Sequence, residues 1–251
     1  MYIDMEIELA GIALQINAPH IDEFRPSLNE YAGMPESTLP IRVELSEQDI
    51  NAQIERSRRV YERKAEKRNV SELEHEFTAL LRKTLNVLIE YNVIYLHGSL
   101  LAVNGKGYLF MAPSGTGKST HARLWKKRYG DLVTVINDDK PLIKAAGDGI
   151  IRAYGSPWRG KHKIGCNSEV PLKAIIRLRR GTENKIAKLD KTDALKMLYL
   201  HTMHFEEAHK MKTMLGVIGA IIENVAFYDL QCNMEIEAAE VAYKGLVDSQ
   251  E

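Results

Sequence analysis

Nine consecutive residues, Ala112-Pro113-Ser114-Gly115-Thr116-Gly117-Lys118-Ser119-Thr120, bring together what a phosphate cradle needs. Backbone N–H groups converge on an anion only where the chain curls tightly. Gly115 and Gly117 permit that curl without a Cβ in the way. A helix opening at the end of the loop would aim unpaired N–H groups and its positive dipole end at the same anion. Lys118 adds a positive charge suited to the β- and γ-phosphates, and the Ser119 hydroxyl is of the type that ligates Mg²⁺. The apolar run Tyr108-Leu109-Phe110-Met111 comes just before, so the order is strand, glycine-bearing loop, Gly-Lys-Ser, helix, which is the P-loop in its required setting. Ala112 stands where the motif has its first glycine, at a position that starts the turn and lies outside the anion nest. Ser114, Gly115, Thr116, Gly117, Lys118, Ser119 and Thr120 are the expected nucleotide-binding residues.

A second apolar run, Leu132-Val133-Thr134-Val135-Ile136, ends in Asn137-Asp138-Asp139. Carboxylates closing the strand after a P-loop helix look like the second metal-holding element of P-loop enzymes. One of two adjacent acids can hold Mg²⁺ beside Ser119 while the other accepts a proton from an attacking hydroxyl. Successive side chains on a strand face opposite ways, so both acids serve only if the chain leaves the strand there, which Pro141 favours. His97, in His97-Gly98-Ser99 between two strand-like runs, is the only histidine whose position returns it towards the loop; on spacing alone it reads more often as a satisfied core histidine than as a functional one. Gly155-Ser156-Pro157-Trp158-Arg159-Gly160-Lys161-His162-Lys163 could close over a triphosphate or grip an anionic acceptor, with Arg159 and Lys161 as the contacts; an ordinary surface loop is the other reading. His201, His204 and His209, near Glu206 and Glu207, lack the spacing of a helical zinc site and read as exposed histidines at a helix end.

These groups need a scaffold. Alternating apolar residues over 1–17, with Gly11 between Leu9 and Ile12, predict two strands. Pro19, Pro26, Pro35 and Pro40 make 18–40 read as an irregular connection, and Ile41, Val43 and Leu45 predict another strand. Arg56-Ser57-Arg58-Arg59 and the basic run from Arg63 to Arg68 read as a solvated helix face or linker. Ser71 and Glu74 offer a capping box for an amphipathic helix over 72–91. Asn104-Gly105 predicts a tight hairpin that makes the P-loop strand the second arm of an antiparallel pair. Two more hairpins are expected, around Gly147-Asp148-Gly149 and around Arg180-Gly181-Thr182-Glu183-Asn184. Helices are expected at about 192–203, 205–225 and 234–247, with a strand near Phe227–Gln231. The fold class is α/β with α+β character: a mixed, largely hairpin-built sheet with a P-loop and flanking helices. The domains read as a β/helical subdomain over 1–92 and a P-loop domain over 93–251.

Acids and bases balance at 34 each, so charge alone points to no nucleic-acid or anionic-membrane partner. Cys166 and Cys232 are too few for a disulfide framework, and the N-terminus has acids where a signal peptide needs bases; a cytoplasmic protein is expected.

Taken together, Leu96-His97-Gly98-Ser99, Ala112 to Thr120 and Asn137-Asp138-Asp139 resemble the HPr serine kinase/phosphatase family and, more distantly, the P-loop core of phosphoenolpyruvate carboxykinases. The resemblance covers about 93–180. Gly155-Ser156-Pro157-Trp158 looks like a motif of short HPr-kinase-like proteins, and the long N-terminal domain of the full enzymes has no counterpart in 1–92. The resemblance implies ATP or another nucleoside triphosphate with Mg²⁺ as cofactors. It also implies Asp138, Lys118 and His97 as catalytic residues, with Asp138 as the base and Ser119 and Asp139 on the metal. The implied reaction is phosphoryl transfer to a hydroxyl, foremost a serine in a small protein, peptide or free amino acid, by a chain that forms a homo-oligomer. A nucleotide-sensing protein that transfers nothing, and simple triphosphate hydrolysis, are the competing readings.

Overall fold

The structure, a computed structural model, describes residues 4–33, 39–64 and 69–247. The start of the alternating run at 1–3, Pro35 and residues 65–68 of the basic run lie outside them. The chain divides into two compact units, Met1–Glu90 and Tyr91–Glu251.

In the first unit, β1 (Met5–Leu9) and β2 (Ile12–Asn17) pair antiparallel from Met5↔Ile16 to Leu9↔Ile12, turning at Ala10-Gly11. Their inward residues Ile7, Leu14 and Ile16 are fully buried. A helix, α1 (Ile21–Leu28), occupies the stretch that the prolines mark as irregular and holds Pro26 within it. Burying Ile21, Phe24 and Leu28 along one face offsets the backbone bond that Pro26 cannot make. β3 (Ile41–Glu44) adds to β2 in parallel. α2 (Glu47–Lys64) carries Arg58 paired with Glu55 and Glu62 of its own surface, the solvated face read from the sequence. α3 (Glu72–Leu88) opens on the expected capping box, Ser71 with Glu74.

The second unit is built on a nine-stranded mixed sheet. β4 (Val93–Tyr95) is followed by β5 (Gly98–Val103) and β6 (Lys106–Met111), the predicted hairpin, in register from Gly98↔Met111 to Val103↔Lys106. α4 (Lys118–Tyr129) ends at Gly130, and β7 (Val133–Asn137) pairs antiparallel with β5. β8 (Leu142–Ala145) and β9 (Ile151–Tyr154) form the second hairpin. The long β10 (Glu169–Arg180) pairs with β9 through its first residues and, further on, runs parallel to β6.

The third expected hairpin does not form. β11 (Lys185–Lys188) follows β10 in sequence but pairs with β12 (Ala226–Cys232), which arrives after α5 (Lys191–Leu200) and α6 (Ala208–Asn224) and lies parallel to β10 between the two. The apolar side chains of β12 explain the insertion: Leu230 is fully buried, and Leu178 and Ile176 of β10 share its core cluster. α7 (Glu237–Leu246) and α4 pack over that cluster, with Trp125 fully buried between Tyr108, Phe110 and Tyr243. The fold is thus mixed α/β, a curled mixed sheet flanked by helices. Among the described residues no helix is long and apolar enough to cross a membrane.

The pairings fix which ends share an edge. β6, β10 and β12 are mutually parallel, and β7, two antiparallel steps from β6, points the same way. Their C-terminal ends, together with the N-terminal end of β5, line one edge of the sheet in the order β7, β5, β6, β10, β12. In open sheets of this kind, ligands bind outside the carboxyl ends of parallel strands.

Candidate functional site

The loop after β6 has the shape of an anion nest. Gly115 and Gly117 take φ of +79° and +122°, the left-handed region that a side chain resists, and α4 starts at Lys118 immediately after. A Cβ at either glycine would meet nothing within 4 Å, so conformation and not space calls for glycine there. Lys118 is buried and donates from Nζ to the Ala112 carbonyl at 2.9 Å. Burial lowers its pKa, and the Asp139 carboxylate partly opposes that.

Arg180, at the end of β10, donates from Nε to the Thr116 carbonyl at 3.1 Å and from a terminal nitrogen to the Gly115 carbonyl at 2.5 Å. No sequence motif signals this, since by spacing alone Arg180 reads as a hairpin turn residue. It grips two carbonyls of the glycine-bearing loop, in which the Thr116 amide donates to the Pro113 carbonyl at 3.2 Å.

The acidic turn is rigid for a reason found in Asn137. Its fully buried side chain accepts from the Asp139 and Lys140 amides at 2.9 and 2.7 Å, bending the chain out of β7. The same side chain donates to the Ser156 carbonyl and Oγ, and Ser156 Oγ donates to the Lys140 carbonyl at 2.6 Å. Two segments that stand apart in the sequence, Asn137-Asp138-Asp139 and Gly155-Ser156-Pro157-Trp158, are therefore joined in one buried network. Ser99 Oγ donates to the Asp138 carbonyl and the Gly98 amide to that of Asp139, which ties the start of β5 to the turn.

The two carboxylates differ. Asp138 is buried: Oδ1 accepts the Gly160 amide at 2.7 Å, while Oδ2 is buried with no hydrogen-bond partner among the described residues. Desolvation raises its pKa, opposed by the Gly160 amide and reinforced by Asp139. Asp139 meets Lys140 in an ion pair and lies 3.4 Å from His97 Nδ1. Burial pushes His97 down to about 4, against the pull of Asp139, with Lys118 and Lys140 adding to the fall, so the ring is neutral at pH 7. His97 also donates its amide to the His201 carbonyl at 2.8 Å, and the two rings lie 6.1 Å apart. His97 is therefore not the only histidine at this edge. His201 caps α5 beside it, where the spacing indicates an exposed helix end, and His121 sits in the first turns of α4. Tertiary packing brings these together with no motif to announce them.

The loop over 155–163 is anchored at both of its features that packing can reach. Trp158 is buried in the core rather than offered to a ligand, and the loop is fastened to Asp138 through Gly160. Arg159 is half-buried and Lys161 exposed. Ser119 is half-buried on the first turn of α4. A hydroxyl and a carboxylate are oxygen types that Mg²⁺ accepts when phosphates supply further ligands, and Ser119 and Asp139 are the residues here that could offer them. The orphaned Asp138 oxygen leaves one more acceptor at this edge. Among the described residues no cluster of three or more His, Cys, Asp or Glu side chains is placed to hold a metal by itself.

Compared with known proteins, residues 64–237 match the sequence profile of the family described as SynChlorMet cassette protein ScmC. No curated protein matches the chain. Among solved structures, the Hpr(Ser) kinase/phosphatase from Coxiella burnetii is similar over 62% of this chain and 99% of its own, at 12% identity and a TM-score of 0.36. The motif resemblance thus narrows to a distant likeness, and the matching family is a different one.

Proposed function

This chain belongs to the ScmC family of SynChlorMet cassette proteins, and from that premise we propose that its P-loop edge is a phosphotransfer site. The family match spans the loop, the acidic turn and Arg180 together, so one module carries them. In this reading the Tyr91–Glu251 unit, close to the 93–251 domain read from sequence, holds a nucleoside triphosphate and passes its γ-phosphoryl group to a hydroxyl, foremost a serine of a small protein, peptide or free amino acid. The observation that carries it is the buried, partnerless Oδ2 of Asp138 on the same sheet edge as the anion nest: a pure binding site needs the cradle but no base.

The residues divide the work. Amides of Ser114 to Thr120 and the Lys118 ammonium hold the phosphates and stabilise charge on the transferring group. Asp138 takes the hydroxyl proton as the acceptor oxygen bonds to the γ-phosphorus. The bond from that phosphorus to the β,γ-bridging oxygen breaks, and the nucleoside diphosphate leaves with the electron pair. Neutral His97 orients Asp139. Mg²⁺ held by Ser119 and Asp139 would neutralise phosphate charge. Arg159 and Lys161 are the residues offered to anionic groups arriving from solvent.

Asp138→Asn should abolish transfer and leave nucleotide affinity nearly intact. The assay incubates protein, Mg-ATP and size-fractionated cell extract and follows the mass gain of an added HPO₃ group in each fraction. Unchanged turnover would remove Asp138 from the role of base. Stoichiometric nucleotide binding with no phosphorylated product in any fraction would overturn the transferase reading.

A further inference from the structure

We infer that a cavity on the far side of the P-loop, between α4 and the ends of β10 and β12, takes the nucleobase of the nucleotide. The inference rests on the triphosphate reading above and adds where the rest of that molecule goes. The cavity has a volume of about 340 Å³, and Thr116, His121, Leu124, Leu178, Arg180 and Met234 are among its walls. That volume lies at the lower end of small-molecule sites, roughly 300–1,000 Å³, and mostly apolar walls with a few polar groups are what such sites present.

Strand order gives the direction. Along the edge the acids stand at the end of β7, the loop at the end of β6, and the cavity at the ends of β10 and β12. A triphosphate on the loop with its γ-phosphate towards Asp138 therefore carries its nucleoside towards the cavity.

His121 gives the chemistry. Trp125 Nε1 donates to His121 Nε2 at 2.9 Å, so Nε2 is the unprotonated nitrogen and the proton resides on Nδ1. His121 is 2% exposed, and its Nδ1 has no hydrogen-bond partner among the described residues. A buried donor left unpaired is costly, and an acceptor on a heteroaromatic base would satisfy it. Arg180, pinned to the loop by two hydrogen bonds, adds a planar guanidinium of the kind that stacks on aromatic rings.

The test compares dissociation constants, by titration calorimetry in Mg²⁺ buffer, for inorganic tripolyphosphate and for whichever of ATP and GTP binds more tightly. The unaltered protein should favour the nucleotide by about tenfold or more, a difference of about 1.4 kcal/mol. His121→Phe, which keeps a ring but removes the donor, and Met234→Ala, at an exposed wall, should each shrink that gap and leave tripolyphosphate affinity unchanged. Equal affinity of the unaltered protein for nucleotide and tripolyphosphate would overturn the base site while sparing the phosphate site. A base site is equally overturned if both variants weaken the two ligands alike. Binding of neither ligand would remove the triphosphate reading, and this inference with it.

Discussion

Arg180 is exposed, yet it determines which way two peptide planes of the P-loop face. The N–H groups on those planes belong to Thr116, which donates to the Pro113 carbonyl at 3.2 Å, and to Gly117, so the grip on the Thr116 carbonyl orients the Gly117 N–H that an anion can use. Arg180→Ala should weaken tripolyphosphate and nucleotide binding together by roughly tenfold, about 1.4 kcal/mol and just under the usual contribution of a hydrogen bond to a charged group, and Arg180→Lys should recover part of it. Titration calorimetry reads this directly, and an unchanged tripolyphosphate affinity would exclude the positioning role. At this scale the sequence shows what is written contiguously. The loop and the acids after β7 are legible because the chemistry demands those types in order. Arg180, His201 and the partnerless nitrogen of His121 are not, since their meaning comes from what folding sets beside them. Trp158 is a further case: its cationic neighbours Arg159 and Lys161 give no sign of the burial that the core provides for it.

The His97-Gly98-Ser99 segment shows how an element end depends on its residue types. Gly98 faces Met111 across the hairpin, and a Cβ there would lie 2.7 Å from Leu109 Cδ1 and 2.8 Å from the Phe110 carbonyl. Gly98→Ala should cost about 1–3 kcal/mol by urea unfolding, as overpacking does, and should slow transfer more than it weakens nucleotide binding. The second effect follows because Gly98 and Ser99 hold the carbonyls of Asp139 and Asp138. Full activity with full stability would contradict the packing account. Hairpins closed by Asn104-Gly105 and Gly147-Asp148-Gly149 are legible, because two short antiparallel strands leave the turn residues little choice. The pairing of β11 is not, because a strand arriving from beyond two helices competes for the same edge and local spacing carries no sign of it. α1 is hidden for a related reason: Pro26 argues locally against helix, and only the burial of Phe24 and its neighbours argues for it.

Across the whole molecule, buried imidazoles link stability to acidity. The His121 pKa is about 4 when folded and 6.5 when unfolded, so between those values the unfolded chain binds more protons and stability falls as pH falls. From pH 7 to pH 5 that amounts to about 2 kcal/mol. His97, also lowered to about 4, acts in the same direction. The raised carboxyl of Asp138 acts oppositely, adding stability at low pH that is lost as pH rises through its folded value. Urea unfolding at pH 7 and pH 5 should show a smaller loss in His121→Asn than in the unaltered protein, and an equal loss in both would refute the assignment.

The position of β12 has a further consequence for the order in which the chain is made. A ribosome releases the P-loop and both acids well before residue 226, and β10 and β11 follow with nothing yet available to lie between them. A truncated product ending before Ala226 would carry every motif by which the chain can be recognised. It would still lack the partner strand of β11 and the Met234 wall beside the loop.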